Sequence, residues 1–183
     1  MNIYLACTVR GDRAAIGAAR ALADAIEGLG HTILTRHLLE DDVDSREGAI
    51  TEREVFERDL RWLEDSDVLI AEASGSSYGV GFEVGYVIGR AERTGQRVLL
   101  LYDVTRRPFV SRLIAGNTHP ACTTYPYRSA EDLLHLLGGN GPIRASGDPA
   151  LRCVFVPTLP ETIEQLPQAR AESATSQPAE QSA

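Results

Sequence analysis

Short apolar runs alternate with longer amphipathic stretches along most of the chain. Ile3 to Cys7 reads as a first strand. Arg13 to Leu29 follows as a helix, because Ile16, Ala19, Leu22, Ala23, Ile26 and Leu29 recur at 3–4 spacing, and Gly30 stops it. Thr32 to Thr35 is a second strand, and the polar stretch Glu40 to Gly48 reads as a loop or lid. Thr51 to Asp65 is a helix that opens on a capping box, Thr51 with Glu54. Val68 to Glu72 is a third strand. A Gly/Ser loop and a helical pattern from Val80 to Arg93 come next. Val98 to Tyr102 is a fourth strand, Phe109 to Ala115 a short helix, Cys122 to Tyr125 an edge strand and Ser129 to Leu137 a last helix.

Alternation of this kind predicts an α/β fold: a Rossmann- or flavodoxin-like three-layer sandwich around a five-stranded, mostly parallel sheet. Ligands in such sheets bind beyond the carboxyl ends of the strands. The loops after strands one and three, Thr8–Asp12 and Ala73–Gly79, should therefore face one crevice. Gly138-Gly139-Asn140-Gly141-Pro142 closes the compact part, so residues 1–140 are expected to be the catalytic domain. Residues 141–159 read as an extra strand or docking arm. Residues 160–183 are Glu/Gln/Ala/Ser/Pro-rich and read as a disordered tail.

Composition narrows the partners. A length of 183 residues and 43% hydrophobic content suit one domain with a real core. The net charge of −8 argues against nucleic acid and anionic membranes as partners, though not against a small anion. No apolar run approaches a membrane span. Cys7, Cys122 and Cys153 show no metal or disulfide spacing and read as reduced thiols, which points to a cytoplasmic protein. The start, Met1-Asn2-Ile3-Tyr4, lacks a basic leader region. His31, His37, His119 and His135 form no metal-ligand pattern with acids, so no metal or cofactor is expected.

Three places carry candidate chemistry. Ser76-Ser77-Tyr78-Gly79-Val80-Gly81-Phe82-Glu83-Val84-Gly85 sits between a strand and a helix, the geometry that presents backbone N–H groups to an anion. It places Glu83 in the first helical turn, where it is either a reacting carboxylate or an acid favoured by the helix dipole. Ser76 and Ser77 are either hydroxyl donors or turn residues. Asp59 falls on the apolar arc made by Val55, Phe56, Leu60, Trp62 and Leu63. The charges Arg53, Glu54, Glu57, Arg58, Arg61 and Glu64 lie opposite or at its margins. A carboxylate on a buried face needs a partner or a proton. Asp59 is either a core residue that caps a loop or pairs with Arg10 or His37, or a catalytic acid with a raised pKa. Thr8 and Arg10 lie just past the first strand, where a phosphate could meet a hydroxyl and a guanidinium.

Taken together, the motifs Tyr4-x-x-x-Thr8-x-Arg10-Gly11, Asp59-Leu60-x-Trp62-Leu63 and Gly79-Val80-Gly81-Phe82-Glu83-Val84-Gly85, with Ser111 in Val110-Ser111-Arg112-Leu113-Ile114, resemble the 2'-deoxynucleoside 5'-phosphate N-hydrolases of the nucleoside 2-deoxyribosyltransferase superfamily. The resemblance covers residues 3 to 116 and implies a role for each position. Glu83 would be the nucleophile at C1' of the sugar. Asp59 would help the base leave. Tyr4 would hydrogen-bond near Glu83 and sense the 2' position. Thr8, Arg10, Ser77 and Gly79 would hold the 5'-phosphate. Ser111 would reach it from the second subunit of a homodimer, and His37 would lie near the base or serve as a loop or core histidine. Cys7 and Thr8 stand where relatives often carry Gly and Ser. The implied activity is hydrolysis of a 2'-deoxynucleoside 5'-monophosphate to free base and 2-deoxyribose 5-phosphate. A deoxyribosyltransferase, a CMP-type ribonucleotide hydrolase and a nucleotide sensor without turnover are the alternatives. A sensor has no use for Asp59 on an apolar face. The helical arc predicts a partly buried Asp59, and its pairing with Glu83 predicts a pKa raised by burial and by that neighbour's charge.

Overall fold

The computed structural model describes residues 1–135. The expected docking arm, the tail, the end of the last helix and Cys153 lie outside those residues. Five strands form one sheet: β1 (Asn2–Ala6), β2 (Thr32–Ile33), β3 (Val68–Glu72), β4 (Arg97–Asp103) and β5 (Cys122–Tyr127). Their spatial order is β2-β1-β3-β4-β5, and every neighbouring pair is parallel. The strand order reverses between β1 and β3, which is where doubly wound sheets open a crevice.

Side-chain alternation sorts the two faces. Ile3, Leu5, Ile70, Leu99 and Leu101 pack with Leu22 and Ile26 of α1 (Ile16–Gly28) and Leu133 of α6 (Ala130–Leu134). Tyr4, Leu69, Ala71, Val98 and Leu100 pack with Leu63 of α3 (Glu52–Asp65) and with Val80, Val84 and Val87 of α4 (Tyr78–Thr94). Both faces are covered, so the central strands read as nearly continuous apolar runs.

The sequence-predicted elements are present, with shifted ends (α1 starts at Ile16, not Arg13) and three larger differences. β2 is two residues long, because the Thr35 side chain takes over the next ladder position. Its Oγ1 donates to Leu5 O at 2.7 Å and accepts from Leu5 N at 3.0 Å. The stretch expected as a loop or lid holds a helix, α2 (Val43–Glu47), anchored by buried Val43. The segment expected to be helical from Phe109 is a 3-10 turn over Val104–Phe109 followed by α5 (Arg112–Ala115). Pro108 inside that turn explains the break. The capping box of α3 forms as predicted: Thr51 Oγ1 accepts from Glu54 N and Glu54 Oε2 accepts from Thr51 N. Among the described residues no helix is long and apolar enough to cross a membrane.

Candidate active site

One wall of the site grows from the strand ends. β1 alternation turns Tyr4 toward α3 and α4, where it is fully buried. A buried phenol needs a partner, and Tyr4 Oη donates to Glu83 Oε1 at 2.7 Å. α4 starts at Tyr78, two residues before the apolar periodicity announces it, with Ser77 as its cap. Glu83 therefore sits in the second turn rather than the first, and α4 has no acid in its first turn. The helix-dipole reading of Glu83 loses its footing. Burial pushes the Glu83 carboxyl up to about 7; the Tyr4 hydrogen bond opposes the rise and the Asp59 charge adds to it. Burial and the neighbouring Glu83 push the Tyr4 phenol far above its ordinary value, so it remains a donor.

The loops after β1 and β3 meet at close range. Thr8 is buried, and its Oγ1 has no hydrogen-bond partner among the described residues. A Cβ on Gly75 would fall 2.9 Å from Asp12 O and 3.1 Å from Thr8 Oγ1, so only glycine fits without a shift. Ser77 does the turn chemistry allowed for it: its Oγ accepts from Val80 N at 3.3 Å, leaving its own proton to donate. Gly81 N makes the first intrahelical bond of α4, to Ser77 O at 3.2 Å. The amides of Tyr78 and Gly79 precede that ladder and face outward. Below the loop, Tyr127 Oη donates to Glu72 Oε1 at 2.9 Å, Ser74 Oγ bonds the same carboxyl, and Asp103 N donates to Ser74 Oγ at 2.8 Å. The sequence signalled neither this anchor nor Gly75.

The other wall is helical. On α3, Leu63 is buried and Val55, Leu60 and Trp62 are half-buried, but Phe56 is 51% exposed and meets Phe82 at 6.2 Å. Asp59 is half-buried, as its position on the arc predicts. Its partner is neither Arg10 nor His37. Arg58 Nε donates to Asp59 Oδ1 at 2.8 Å, while Arg58 Nη1 and Nη2 donate to Glu47 Oε1 and Oε2, each at 2.9 Å. His37 Nε2 lies 3.2 Å from Glu47 Oε1. The guanidinium stacks 4.9 Å over the Trp62 ring, which His37 meets at 5.3 Å. Arg58 thus belongs inside, not among the outward charges where the helical arc placed it. Burial raises the Asp59 pKa against the pull of Arg58, and Glu47 adds to the rise. The Asp59 and Glu83 charges repel each other, which favours a proton on one of the pair.

The walls enclose a cavity of about 700 Å³, a size that holds a small organic ligand. Glu83, Asp59, Glu47, Arg10, Ser77 and Gly79 border it, as do Cys7 and Ile50. Thr8 stands just behind this surface, and His37 backs it through Glu47. Arg10 is exposed at the rim, with Nε donating to Asp44 Oδ1 of α2 at 2.8 Å. Burial pushes the Cys7 thiol up to about 11, so it stays neutral. Ser111 is elsewhere. It lies on a second, mostly apolar cavity of about 890 Å³, across the 76–80 segment, together with Val84, Ile88, Leu113 and Ile114. Among the described residues no group of three or more His, Cys, Asp or Glu is placed to hold a metal ion.

A family model described as nucleoside 2-deoxyribosyltransferase matches residues 3–125. The chain belongs to the nucleoside 2-deoxyribosyltransferase family. Within that family it is 40% identical over 137 residues to a Thermofilum pendens protein named "Putative 2'-deoxynucleoside 5'-phosphate N-hydrolase 1", covering 75% of this chain and 92% of the relative. It is 32% identical over 117 residues to the 5-hydroxymethyl-dUMP N-hydrolase of Danio rerio, covering 63% of this chain and 76% of the relative. The solved structure of a CMP N-glycosidase from Clostridium botulinum shares the fold, with a TM-score of 0.52 at 17% identity over 73% of this chain and 94% of that one.

Proposed function

We propose that the protein hydrolyses the N-glycosidic bond of a 2'-deoxynucleoside 5'-monophosphate, releasing free base and 2-deoxyribose 5-phosphate. Likeness to proteins named as N-hydrolases supports the coarser statement, an N-glycosidase acting on a nucleotide. The observation that carries the finer one is a single cavity bordered by a tyrosine-held Glu83, by Asp59 and by anion-seeking loops.

Glu83 attacks C1' as its carboxylate. The C1'–N bond breaks with its electron pair moving to the base, and Asp59 supports the departing base by hydrogen bond or proton. Water then cleaves the glycosyl ester and restores both carboxyls. Tyr4 steadies the ionised form of Glu83 and stands where the 2' position is sensed. The phosphate rests on the Ser77 hydroxyl, on the amide of Gly79 and on Arg10, and a small shift of the loop brings Thr8 Oγ1, buried and otherwise unsatisfied, into reach. The exposed Arg10–Asp44 pair is weak, so the guanidinium can exchange it for a phosphate. His37 supports the base side through Glu47. A second copy of the chain brings Ser111 to the phosphate, covering Phe109 and Leu113, which are 65% and 86% exposed. The setting is cytoplasmic, and the chemistry needs no metal or organic cofactor.

Incubation with each deoxynucleoside monophosphate, its ribonucleotide and its nucleoside, followed by chromatography, tests this reading. Free base and 2-deoxyribose 5-phosphate from the deoxy monophosphates are the expected products. Base exchange only when an acceptor base is added would mark a transferase. Turnover confined to ribonucleotides would mark a CMP-type hydrolase, and binding without any product a sensor.

A further inference from the structure

Arg58 makes more contacts on the helical wall than any motif assigns it. Its three nitrogens donate to two carboxylates on different helices, Glu47 at the end of α2 and Asp59 in the middle of α3. Its flat face lies on Trp62. Side-chain exposure is 19% for Arg58, 10% for Glu47 and 21% for Asp59. Ion pairs withdrawn from water this far are weak sources of stability, because desolvation offsets most of the attraction. A bidentate fork does fix geometry. Asp59 Oδ1 is committed to Arg58, whereas Oδ2 makes no hydrogen bond among the described residues. α2 is five residues long, too short to hold itself. Glu47 ties its last residue to α3.

We propose that Arg58 is a positioning residue for the reaction: by gripping Glu47 and Asp59 at once, it fixes α2 against α3 and aims the free oxygen of Asp59 into the cavity. The inference rests on the reading of Asp59 as the carboxylate that assists the leaving base. Arg58 does not itself border the cavity, so it acts through its partners. It is also the cation that balances the carboxylates there. Glu47, Glu52, Asp59 and Glu83 border the same space with Arg10 at its rim, while Tyr4 and Cys7 are neutral and His37 stands behind Glu47. Without Arg58, four carboxyls would share a site whose other cation, Arg10, lies at the rim and must also meet a phosphate. Each would then hold its proton to higher pH.

The test measures kcat and KM against pH for Arg58→Gln, Arg58→Lys, Asp59→Asn and the double variant Arg58→Gln/Asp59→Asn. Arg58→Gln is expected to lower kcat roughly 10- to 100-fold, the scale of a misaimed group, with KM within about 3-fold of wild type. The acid limb of its profile should move to higher pH. Arg58→Lys keeps the charge but not the fork. It should restore the position of the limb and only part of the rate. In the Asp59→Asn background, adding Arg58→Gln should cost kcat less than about 2-fold on the plateau above the acid limb, because the aiming acts through Asp59. Should Arg58→Gln fail to fold, Arg58→Lys alone decides. A rate within 2-fold of wild type for the variant measured, with Asp59→Asn strongly impaired, overturns the proposal. So do losses that simply multiply in the double variant. If Asp59→Asn itself turns over at the wild-type rate, the reading of Asp59 fails instead, and the two failures are told apart.

Discussion

The two walls of the cavity solve the same problem in opposite ways. Each must hold a carboxylate half out of water. The strand wall gives Glu83 a neutral partner, the Tyr4 hydroxyl, and lets burial lift its carboxyl to about 7. The helical wall gives Asp59 a cation, Arg58, which opposes a rise that burial and Glu47 produce. Two acids with different partners are expected to do different work: separate environments separate their titrations and so their roles. The repulsion between them makes the titration a property of the pair.

Glu83→Gln gives the largest expected effect and would break the comparison outright. It keeps shape and the Tyr4 contact but removes the attacking charge. Turnover should fall at least about 10³-fold, with nucleotide affinity by calorimetry little changed. Near-normal hydrolysis would leave the strand wall without its chemistry. Arg10→Ala comes next. Loss of a charge-assisted contact should raise KM for the monophosphate about 10- to 100-fold. The matching nucleoside should be affected far less, and equal losses on both would take Arg10 off the phosphate. Tyr4→Phe sharpens the contrast. The phenol stabilises ionised Glu83, so removing it raises that carboxyl further. The acid limb of kcat/KM should move up by about one pH unit, a tenfold loss below pH 7. An unmoved limb would mean that Glu83 does not set it.

The remaining effect is on stability rather than on rate. The folded-state pKa of Glu83, about 7, lies above its ordinary value of 4.5. The folded protein therefore binds more protons than the unfolded chain between those values. Stability should fall as pH rises from about 4.5 to 7, by about 3 kcal/mol in total. Denaturant melts of Glu83→Gln should lack that decline, becoming relatively more stable than wild type at pH 8 than at pH 5.

The walls also differed in how far the sequence disclosed them. Strand alternation, a Gly/Ser loop and a helix start are local signals. They place Ser77, Gly79 and Glu83 at the crevice shared with the loop after β1; that Tyr4 meets Glu83 is what the family resemblance implies. The sheet, its parallel sense and the crevice beyond β1 and β3 were legible for the same reason. α4's start was missed by two residues because Tyr78 and Gly79 carry no apolar period. The helical wall depends on pairs distant in sequence. Asp59 could be flagged, since a carboxylate on an apolar arc is anomalous. Arg58 could not, because one residue along an α3 turn looks like a margin, and only Glu47, eleven residues upstream, draws it in. Glu47 lay in a polar stretch with too few apolar positions to announce a five-residue helix. Gly75 and Ser74 matter through close approach to Thr8, Asp12 and Glu72, which no periodicity records.

Ser76, Ser77, Tyr78 and Val80 border both cavities. The segment that carries the capped amides is thus a partition one chain thick, with the carboxylates on one side and Ser111 on the other. A partition with two occupied sides cannot respond to one occupant without altering its fit to the other. If a second copy of the chain seats on the apolar side, as proposed, the tightening of nucleotide binding by pairing must equal the tightening of pairing by nucleotide. Subunit concentration then enters the rate law as a reactant does. Dilution would act as an inhibitor, and substrate as the agent that relieves it.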